Sequence, residues 1–375
     1  MKILFISYYS ELYGANRSLL TLIEYMKSSG KDVVVLMPSE GSMGEELRSK
    51  NIDFLTIPYF SQLFYYKKSV KYLVLPFLIL ATLCVFPYIL YRIKKLNVNL
   101  IYSNSSAENM GIFFAKFLKK KHISHIREFM DLDYSAYFLG GRGAKKRFIN
   151  KSNGVVFVSH AVANYINIEG GLLPNQKVVY NGIETKGVVL QKDRLDKTIR
   201  FGLVGILDPA KGQIEALEYF SELIKIKPNV ELHFYGDKAG SYKTKLITRI
   251  NQLGLENNVK MHGFVKNTDE IYKGIDILLM FSRAEGFGRV TIEAMQRAIP
   301  VIGLDQGGTS ELIQHRKNGV LFQNLQGFLD GINFILKDDN RYNEVREFAY
   351  SSSNIDFSKE KYCEGVLSFI EDIVK

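Results

Sequence analysis

"DILLMFSRAEGFGRVTIEAM", Asp276 to Met295, runs from an apolar stretch through a glycine turn into a helical pattern. Ile277 to Phe281 is apolar without alternation, the mark of a strand buried on both faces. Gly286 and Gly288 interrupt it, and the residues after Gly288 read as a helix. Strand, tight turn and helix in twenty residues form the repeating unit of a parallel sheet covered by helices.

The same alternation runs through the chain. Strand-like runs occur at 2–7, 32–38, 53–58, 99–105, 124–129 and 154–159, with helical segments between them. One helix follows Gly14. Another is predicted to begin at Ser42, with Glu45 three positions on as a capping box. The polar stretch "QKDRLDKT" (191–198) reads as a linker, after which strands recur at 199–205, 230–236, 259–265, 276–282, 300–305 and 319–324. The reading is an α/β protein with a Rossmann-like domain over 1–190 and a second over 199–355. A final helix over 356–375 is expected to return to the first domain. Open α/β sheets bind ligands beyond the carboxyl ends of their strands, so two of them are expected to face each other across a cleft.

Composition narrows the classes. The chain has 375 residues, 46% hydrophobic, which suits two packed domains and excludes disorder. A net charge of +10 suits an anionic membrane or anionic small molecules. Nucleic acid ranks last, because few aromatics interleave with the basic runs and no zinc-finger or RNA-recognition signature is present. Cys84 and Cys363 make no framework and no metal motif, which fits a reducing cytosol. "MKILFISYYS" reads as a strand, too brief for a signal peptide, and the expected location is cytoplasmic.

"YLVLPFLILATLCVFPYILY" (72–91) carries no charge and is about as long as a spanning helix. Basic residues flank it on both sides: Lys67, Lys68 and Lys71 before, Arg92, Lys94 and Lys95 after. A true span would separate strands that should share one sheet. The favoured reading is a hairpin or in-plane helix dipping into one leaflet, broken at Pro76 and Pro87. The alternatives are a buried connection or the dimer face of a homo-oligomer and, last, a real span.

The chemistry gathers at the glycine turns. A helix start leaves N–H groups without partners inside the helix, and glycines let a ligand approach the backbone, a combination suited to a diphosphate. Glu285 and Glu293 bracket one such turn, and carboxylates accept paired hydroxyls. Taken alone, the pair reads equally well as a loop glutamate and a helix-surface glutamate. Its surroundings favour a site. "VGILDPAKGQIEAL" (204–217) sets Lys211 and Gly212 at another helix start, Gly14 does the same in the first half, and Gly307 and Gly308 precede a further helix.

Together these residues resemble glycosyltransferase family 4, retaining enzymes of the two-Rossmann GT-B architecture. The motifs are "VVYNGI", "GILDPAKG", "SRAEGFGRVTIEAM", "PVIG" and "GGTSELI". The resemblance implies that Glu285 contacts the donor sugar's hydroxyls and Glu293 the nucleotide ribose. Gly286, Phe287 and Gly288 would offer the turn and its backbone N–H groups. Lys211 would hold the diphosphate beside Gly205, and Gly14 would shape the loop near phosphate and acceptor. His125, in "SHIREF", corresponds to a histidine near the reacting centre. One position departs: where the family often has arginine after the strand glycine, this chain has Ile206. Lys211 is then left alone or helped by Arg283 or Arg289.

"DLD" (131–133) looks like the Asp-x-Asp metal motif of the other large glycosyltransferase architecture and is read here as a solvated loop. Lys145, Lys146 and Arg147, like Lys119 to Lys121, read as solvated faces or headgroup contacts. The six histidines show no ligand spacing, so neither metal nor cofactor is expected. The function implied is transfer of a sugar from a UDP- or GDP-linked donor to a glycan or lipid-linked acceptor at the inner membrane face. The product would be a surface polysaccharide. A sugar-nucleotide epimerase or a non-catalytic nucleotide-sugar-binding partner are the alternatives.

Overall fold

The computed structural model describes residues 1–62, 64–66, 75–168, 170–184 and 198–375. They form two compact units, Met1–Gly182 with Lys359–Lys375, and Ile183–Ser358. The linker expected at 191–198 lies outside the described residues except for Thr198, as do 72–74 of the apolar segment.

The first unit is built on seven parallel strands: β1 (Lys2–Ser7), β2 (Asp32–Met37), β3 (Asp53–Thr56), β4 (Leu100–Asn104), β5 (Lys121–Ile126), β6 (Gly154–Phe157) and β7 (Gln176–Val178). Their order across the sheet is 3-2-1-4-5-6-7. The second unit has six: β8 (Ile199–Val204), β9 (Val230–Tyr235), β10 (Val259–Met261), β11 (Ile277–Met280), β12 (Val301–Leu304) and β13 (Gly319–Phe322), in the order 10-9-8-11-12-13. Each sheet therefore reverses direction beside its first strand, between β1 and β4 and between β8 and β11. Such a reversal opens a crevice beyond the carboxyl ends of the two strands. The strands that flank these points are buried almost throughout, which explains their unbroken apolar runs.

Three expectations about local structure need correction. The strand placed at 124–129 is Lys121–Ile126, since its pairing with β4 and β6 ends at Ile126, opposite Phe157. Arg127 to Phe129 therefore leave the sheet at its carboxyl edge. The capping box at Ser42 does not form. The helix Gly41–Ser49 has Ser42 already in its first turn, where its hydroxyl accepts from Leu12 N (2.9 Å) and donates to Glu11 (2.8 Å). The third concerns the apolar segment, which is not broken into pieces: Leu75–Leu96 is one helix with Pro87 inside it. Pro76 stands in the first turn, where its missing N–H has no partner to lose.

That helix buries one side and exposes the other. Ile89 and Ile93 join the core formed by Leu4, Ile6, Val34 and Ile101, buried Thr82 accepts from Phe60 N (2.8 Å), and Phe77, Leu80, Leu83, Tyr88 and Tyr91 stay exposed. The last helix, Lys359–Val374, packs Tyr362, Cys363, Val366 and Ile370 against the helix Gly14–Ser28 in the other core of this unit. Gly154 permits its approach to the sheet, since a Cβ there would lie 2.9 Å from Phe369 and Ile373.

A buried polar relay lies behind β4. Glu108 accepts from the N–H groups of Met110 (2.7 Å) and Gly111, so it caps the helix Gly111–Leu118. Its other oxygen meets the Ser103 hydroxyl, which is 2.9 Å from His122 Nε2, and His122 Nδ1 lies 3.0 Å from Ser152. Burial raises the Glu108 carboxyl to about 7 and lowers His122 to about 3. Ser103 donates to Glu108, and a neutral His122 imidazole completes the relay between Ser103 and Ser152.

Between about pH 4.5 and 7 the folded chain then holds a proton on Glu108 that the unfolded chain has released. Stability falls as pH rises through that window, by roughly 2–3 kcal/mol from this group. Buried, neutral His122 and His125 pull stability the other way over much of that range, so urea unfolding should show Glu108→Gln rising more steeply with pH than the parent. Asp133, which burial also raises to about 7, tilts both curves downward alike. A slope unchanged in Glu108→Gln would refute the assignment.

Candidate functional site

In the second unit, the loops after β8 and β11 stand on either side of the crevice. After β8 the chain passes Gly205 and Ile206 into a short 3-10 turn, Pro209–Lys211, capped by the Asp208 side chain accepting from Ala210 N (3.2 Å). Gly212 follows at φ +70°, and a Cβ there would lie 2.5 Å from Phe281 O. Glycine at 212 thus lets this turn lie directly on the end of β11. Ser282 locks the contact by donating to Ala210 O (3.1 Å).

The result is that Lys211 and Glu285, 74 positions apart, meet: Nζ to Oε2 is 2.7 Å. Both are partly buried, with 31% and 16% of their side chains exposed, so the pair is shielded yet open to a ligand from one side. The backbone beneath Glu285 is held from the other direction. Gly308 N donates to Glu285 O (2.7 Å), and a Cβ on Gly308 would lie 2.8 Å from the carbonyls of Gly286 and Phe287. Gly307 and Gly308 therefore serve close packing of one loop on another. Phe287 turns its ring inward, 4% exposed, edge-on to Phe357. Gly288, at φ +100°, caps the helix Arg289–Met295.

Glu293 lies one turn into that helix. It accepts from the Tyr272 hydroxyl (3.1 Å) and pairs with Arg289 (3.5 Å). Burial, then the charge of Glu293, keep the Tyr272 phenol well above its ordinary value, so it stays a donor. Tyr272 comes from the helix Thr268–Lys273, and no local sequence signal marks it as a partner of Glu293.

The cations around Ile206 each hold a carboxylate. Lys238 pairs with Asp208 (2.5 Å), and Arg283 turns outward to Glu215 (3.0 Å) with 69% of its side chain exposed. Arg283 thus pairs with Glu215. Ile206 is half exposed, and its carbonyl accepts from the buried Gln213 side chain (2.8 Å). Gly205 packs under Gly236, whose own Cβ would fall 2.0 Å from Gly205 O. In this unit the structure brings together Gly205, Lys211, Glu285, Gly286, Gly288, Arg289 and Glu293.

Gly14 and His125 belong to the first unit. Gly14 is exposed at the start of its helix, after a loop pinned by the buried Asn16, which donates to Tyr9 O (3.0 Å) and Glu11 O (2.9 Å). His125, expected near a reacting centre, is wholly buried; its Nδ1 is 2.5 Å from the Tyr102 hydroxyl, and among the described residues its Nε2 has no hydrogen-bond partner. Burial, then the Arg127 charge, hold its pKa well below the usual histidine range. The side chain ends inside the core because it precedes the end of the strand by one residue.

Arg127, two positions on, carries the polar work at this edge. It donates to Asn104 (2.6 Å), Asn181 (2.5 Å) and the Tyr362 hydroxyl (2.8 Å). Asn104 reaches in turn to Ala15 O, beside Gly14. Asn181 lies within "VVYNGI", where a polar residue inside an otherwise apolar motif was the available signal. Among the described residues no group of three or more His, Cys, Asp or Glu could hold a metal ion.

Residues 190–352 match the family model described as Glycosyl transferases group 1, and residues 13–186 match that of Glycosyltransferase Family 4. The chain is similar to the N-acetyl-alpha-D-glucosaminyl L-malate synthase of Bacillus anthracis, 25% identical over 240 residues, or 60% of this chain and 61% of that one. It is also similar to the poly(ribitol-phosphate) alpha-N-acetylglucosaminyltransferase of Staphylococcus aureus, 28% identical over 217 residues, 54% of this chain and 40% of that one. The matches thus span about two fifths to three fifths of these relatives' lengths. Among solved structures, the Anabaena protein HepE in complex with UDP superposes with a TM-score of 0.80 at 22% identity, covering 99% of this chain and 100% of that one.

The glycine contact beneath Glu285 is testable on its own. Gly308→Ala should force the two loops apart, costing roughly 1–3 kcal/mol and lowering the melting temperature by about 3–10 °C. Gly143→Ala, whose Cβ would meet only the end of Arg147 at 3.8 Å, is the control and should melt no lower than the parent. Equal melting of both variants would disprove close packing at Gly308.

Proposed function

The chain belongs to glycosyltransferase family 4, and on that premise we propose that it transfers a sugar from a nucleotide-sugar to a glycan or lipid-linked acceptor of a surface polysaccharide, with retention of configuration. The observation that carries the reading is the Lys211–Glu285 pair at the crevice between β8 and β11. A donor entering there would split the pair. Its diphosphate would take the Lys211 ammonium, and its sugar hydroxyls would donate to the freed Glu285 carboxylate. Each charge would exchange one partner for another, so neither is left bare. Glu293, held by Tyr272 and Arg289, is suited to the ribose hydroxyls.

The step would break the bond between the sugar's anomeric carbon and the diphosphate oxygen and form one from the acceptor hydroxyl oxygen to that carbon, the hydroxyl proton passing to the leaving diphosphate. Negative charge grows on the leaving oxygen, where Lys211 and the N–H groups about Gly286 to Gly288 would stabilise it. The donor is UDP- or GDP-linked, with neither metal nor cofactor required by this charge arrangement. One curated relative is named for N-acetylglucosamine transfer to poly(ribitol-phosphate), which supports a polymeric surface acceptor. Neither relative supports the epimerase alternative.

The reading extends to a cytoplasmic enzyme docked on the membrane. The helix Leu75–Leu96 is long and apolar enough to cross a bilayer, but Ile89 and Ile93 are committed to the core. Its exposed stripe, Phe77, Leu80, Leu83, Tyr88 and Tyr91, ends at Arg92, Lys94 and Lys95. Exposed Phe117 lies against Phe86 of the same helix, with Lys116 and Lys119 flanking it in sequence. Apolar rings edged by cations match an interfacial helix lying in the headgroup plane.

Nucleotide release from a panel of UDP- and GDP-sugars, with membrane extract as acceptor, checks the activity. Glu285→Gln and Lys211→Met should each lower turnover by about 10²–10³-fold while melting like the parent. Parent-like turnover in either would remove that residue from the mechanism. In flotation with anionic liposomes, Phe77→Ser/Leu80→Ser/Leu83→Ser should stay in the soluble fraction while the parent floats. If parent and variant partition alike, the docking face is wrong.

A further inference from the structure

The two phosphate groups of a nucleotide-sugar carry one negative charge each, and at the end of β8 Lys211 supplies one ammonium. Ile206, half exposed on the same loop, brings no charge. Arg283 and Arg289 are engaged with Glu215 and Glu293. A further cation comes from the loop after β9.

That loop leaves the sheet beside the one after β8. Gly205 N donates to Tyr235 O (2.8 Å), and Gly236 N donates to Gly263 O (2.7 Å). The two backbones touch: a Cβ on Gly236, at φ +136°, would lie 2.0 Å from Gly205 O and 3.3 Å from Ile206 N. A Cβ on Gly205 would meet the Lys211 side chain at 3.8 Å. Lys238 stands two residues past this contact and reaches Asp208, Nζ to Oδ2 being 2.5 Å. Asp208 caps the turn that carries Lys211, its other oxygen accepting from Ala210 N (3.2 Å). Burial works against the Asp208 charge, yet the bonds from Lys238 and Ala210 N and the charges of Lys238 and Lys211 hold its carboxyl below the ordinary range. One carboxylate therefore feels both ammonium groups.

The Lys238 side chain is half exposed. Its loop is braced by Asp237, which accepts from Lys238 N (2.8 Å) and Lys243 Nζ (2.9 Å). An ammonium has three N–H groups, and among the described residues Lys238 Nζ bonds Asp208 alone. The others are open to an incoming anion. Asp208 already orders a long side chain that would otherwise have to be ordered at the moment of binding. Half-exposed ion pairs contribute little to folding, so this one is better explained by what it offers a ligand.

We propose that Lys238 is the second cation of the donor site: it stays bonded to Asp208 and donates to one phosphate of the nucleotide-sugar, while Lys211 leaves Glu285 for the other. This assignment rests on the transferase reading. Lys238 would touch the substrate, and Asp208 would act through it as a positioning residue.

Isothermal titration of the full chain with UDP and with GDP tests this. Whichever nucleotide binds the parent should bind Lys238→Met about tenfold more weakly or worse, and Lys238→Arg within about threefold of the parent. Both variants should melt like the parent. Asp208→Asn separates a phosphate contact from mere charge cancellation, since asparagine keeps an oxygen for Ala210 N and drops the charge. A lysine that only cancelled Asp208 would become dispensable in that background. Lys238→Met should instead still weaken binding there severalfold. Parent-like binding by Lys238→Met, or a loss that vanishes beside Asp208→Asn, overturns the assignment and leaves the transferase reading intact. If neither nucleotide binds the parent, the donor reading falls and Lys238 loses its role with it.

Discussion

Two backbones touch at residues 285–287 and 307–308, and the candidate donor site depends on that contact. With no Cβ at 307 and 308, the loop after β12 lies on the carbonyls of Glu285, Gly286 and Phe287 and donates one hydrogen bond to them. The Glu285 main chain is then held from below while its side chain is left for Lys211. A second glycine contact, Gly212 on Phe281, sets the turn that carries Lys211. Neither the carboxylate nor the ammonium is positioned by its own neighbours in sequence. Backbone packing that only glycine permits places both.

Lys211, Lys238, Arg283 and Arg289 each face a carboxylate, and under the proposed function a diphosphate has to take Lys211 from Glu285. The Lys211–Glu285 pair can be opened by a ligand that offers anion and hydroxyl together, because both halves of the pair are then satisfied. A phosphate alone would leave Glu285 without its cation. A sugar alone would leave Lys211 bound. Under the proposed function the pair favours a molecule carrying both groups, as a nucleotide-sugar does.

The first unit solves a different problem with the same sheet. Arg127 ties the edge of β4, the end of "VVYNGI" and the returning helix into one buried node through Asn104, Asn181 and Tyr362. That node makes the C-terminal helix part of this unit, although the whole of the other unit, Ile183–Ser358, intervenes. One residue inside the strand end puts the His125 side chain in the core, and Arg127 and Glu128, just past it, take the polar positions at the edge.

Twelve strands, the two-unit division of an α/β chain and the helix after Gly288 were legible in the residues. Unbroken apolar runs ended by glycine have one economical explanation, burial between helix layers. The short β7 was not legible, because three residues with two polar ones carry no period. For the candidate site, the residue types and their turns could be read: Lys211, Glu285 and Glu293 stand at glycine-marked strand ends, and local chemistry suffices to say so. Their partners could not. Tyr272 on Glu293, Arg283 turned to Glu215, Lys238 on Asp208 and the inner face of the helix Leu75–Leu96 all depend on which elements become neighbours. So do Asp133 and Lys145, which bond to the Phe129 backbone instead of lying on the solvated loop and face expected of them. Sequence period is a property of one element, whereas a hydrogen-bond partner or a buried face is a property of two, and only the folded sheets bring the two together.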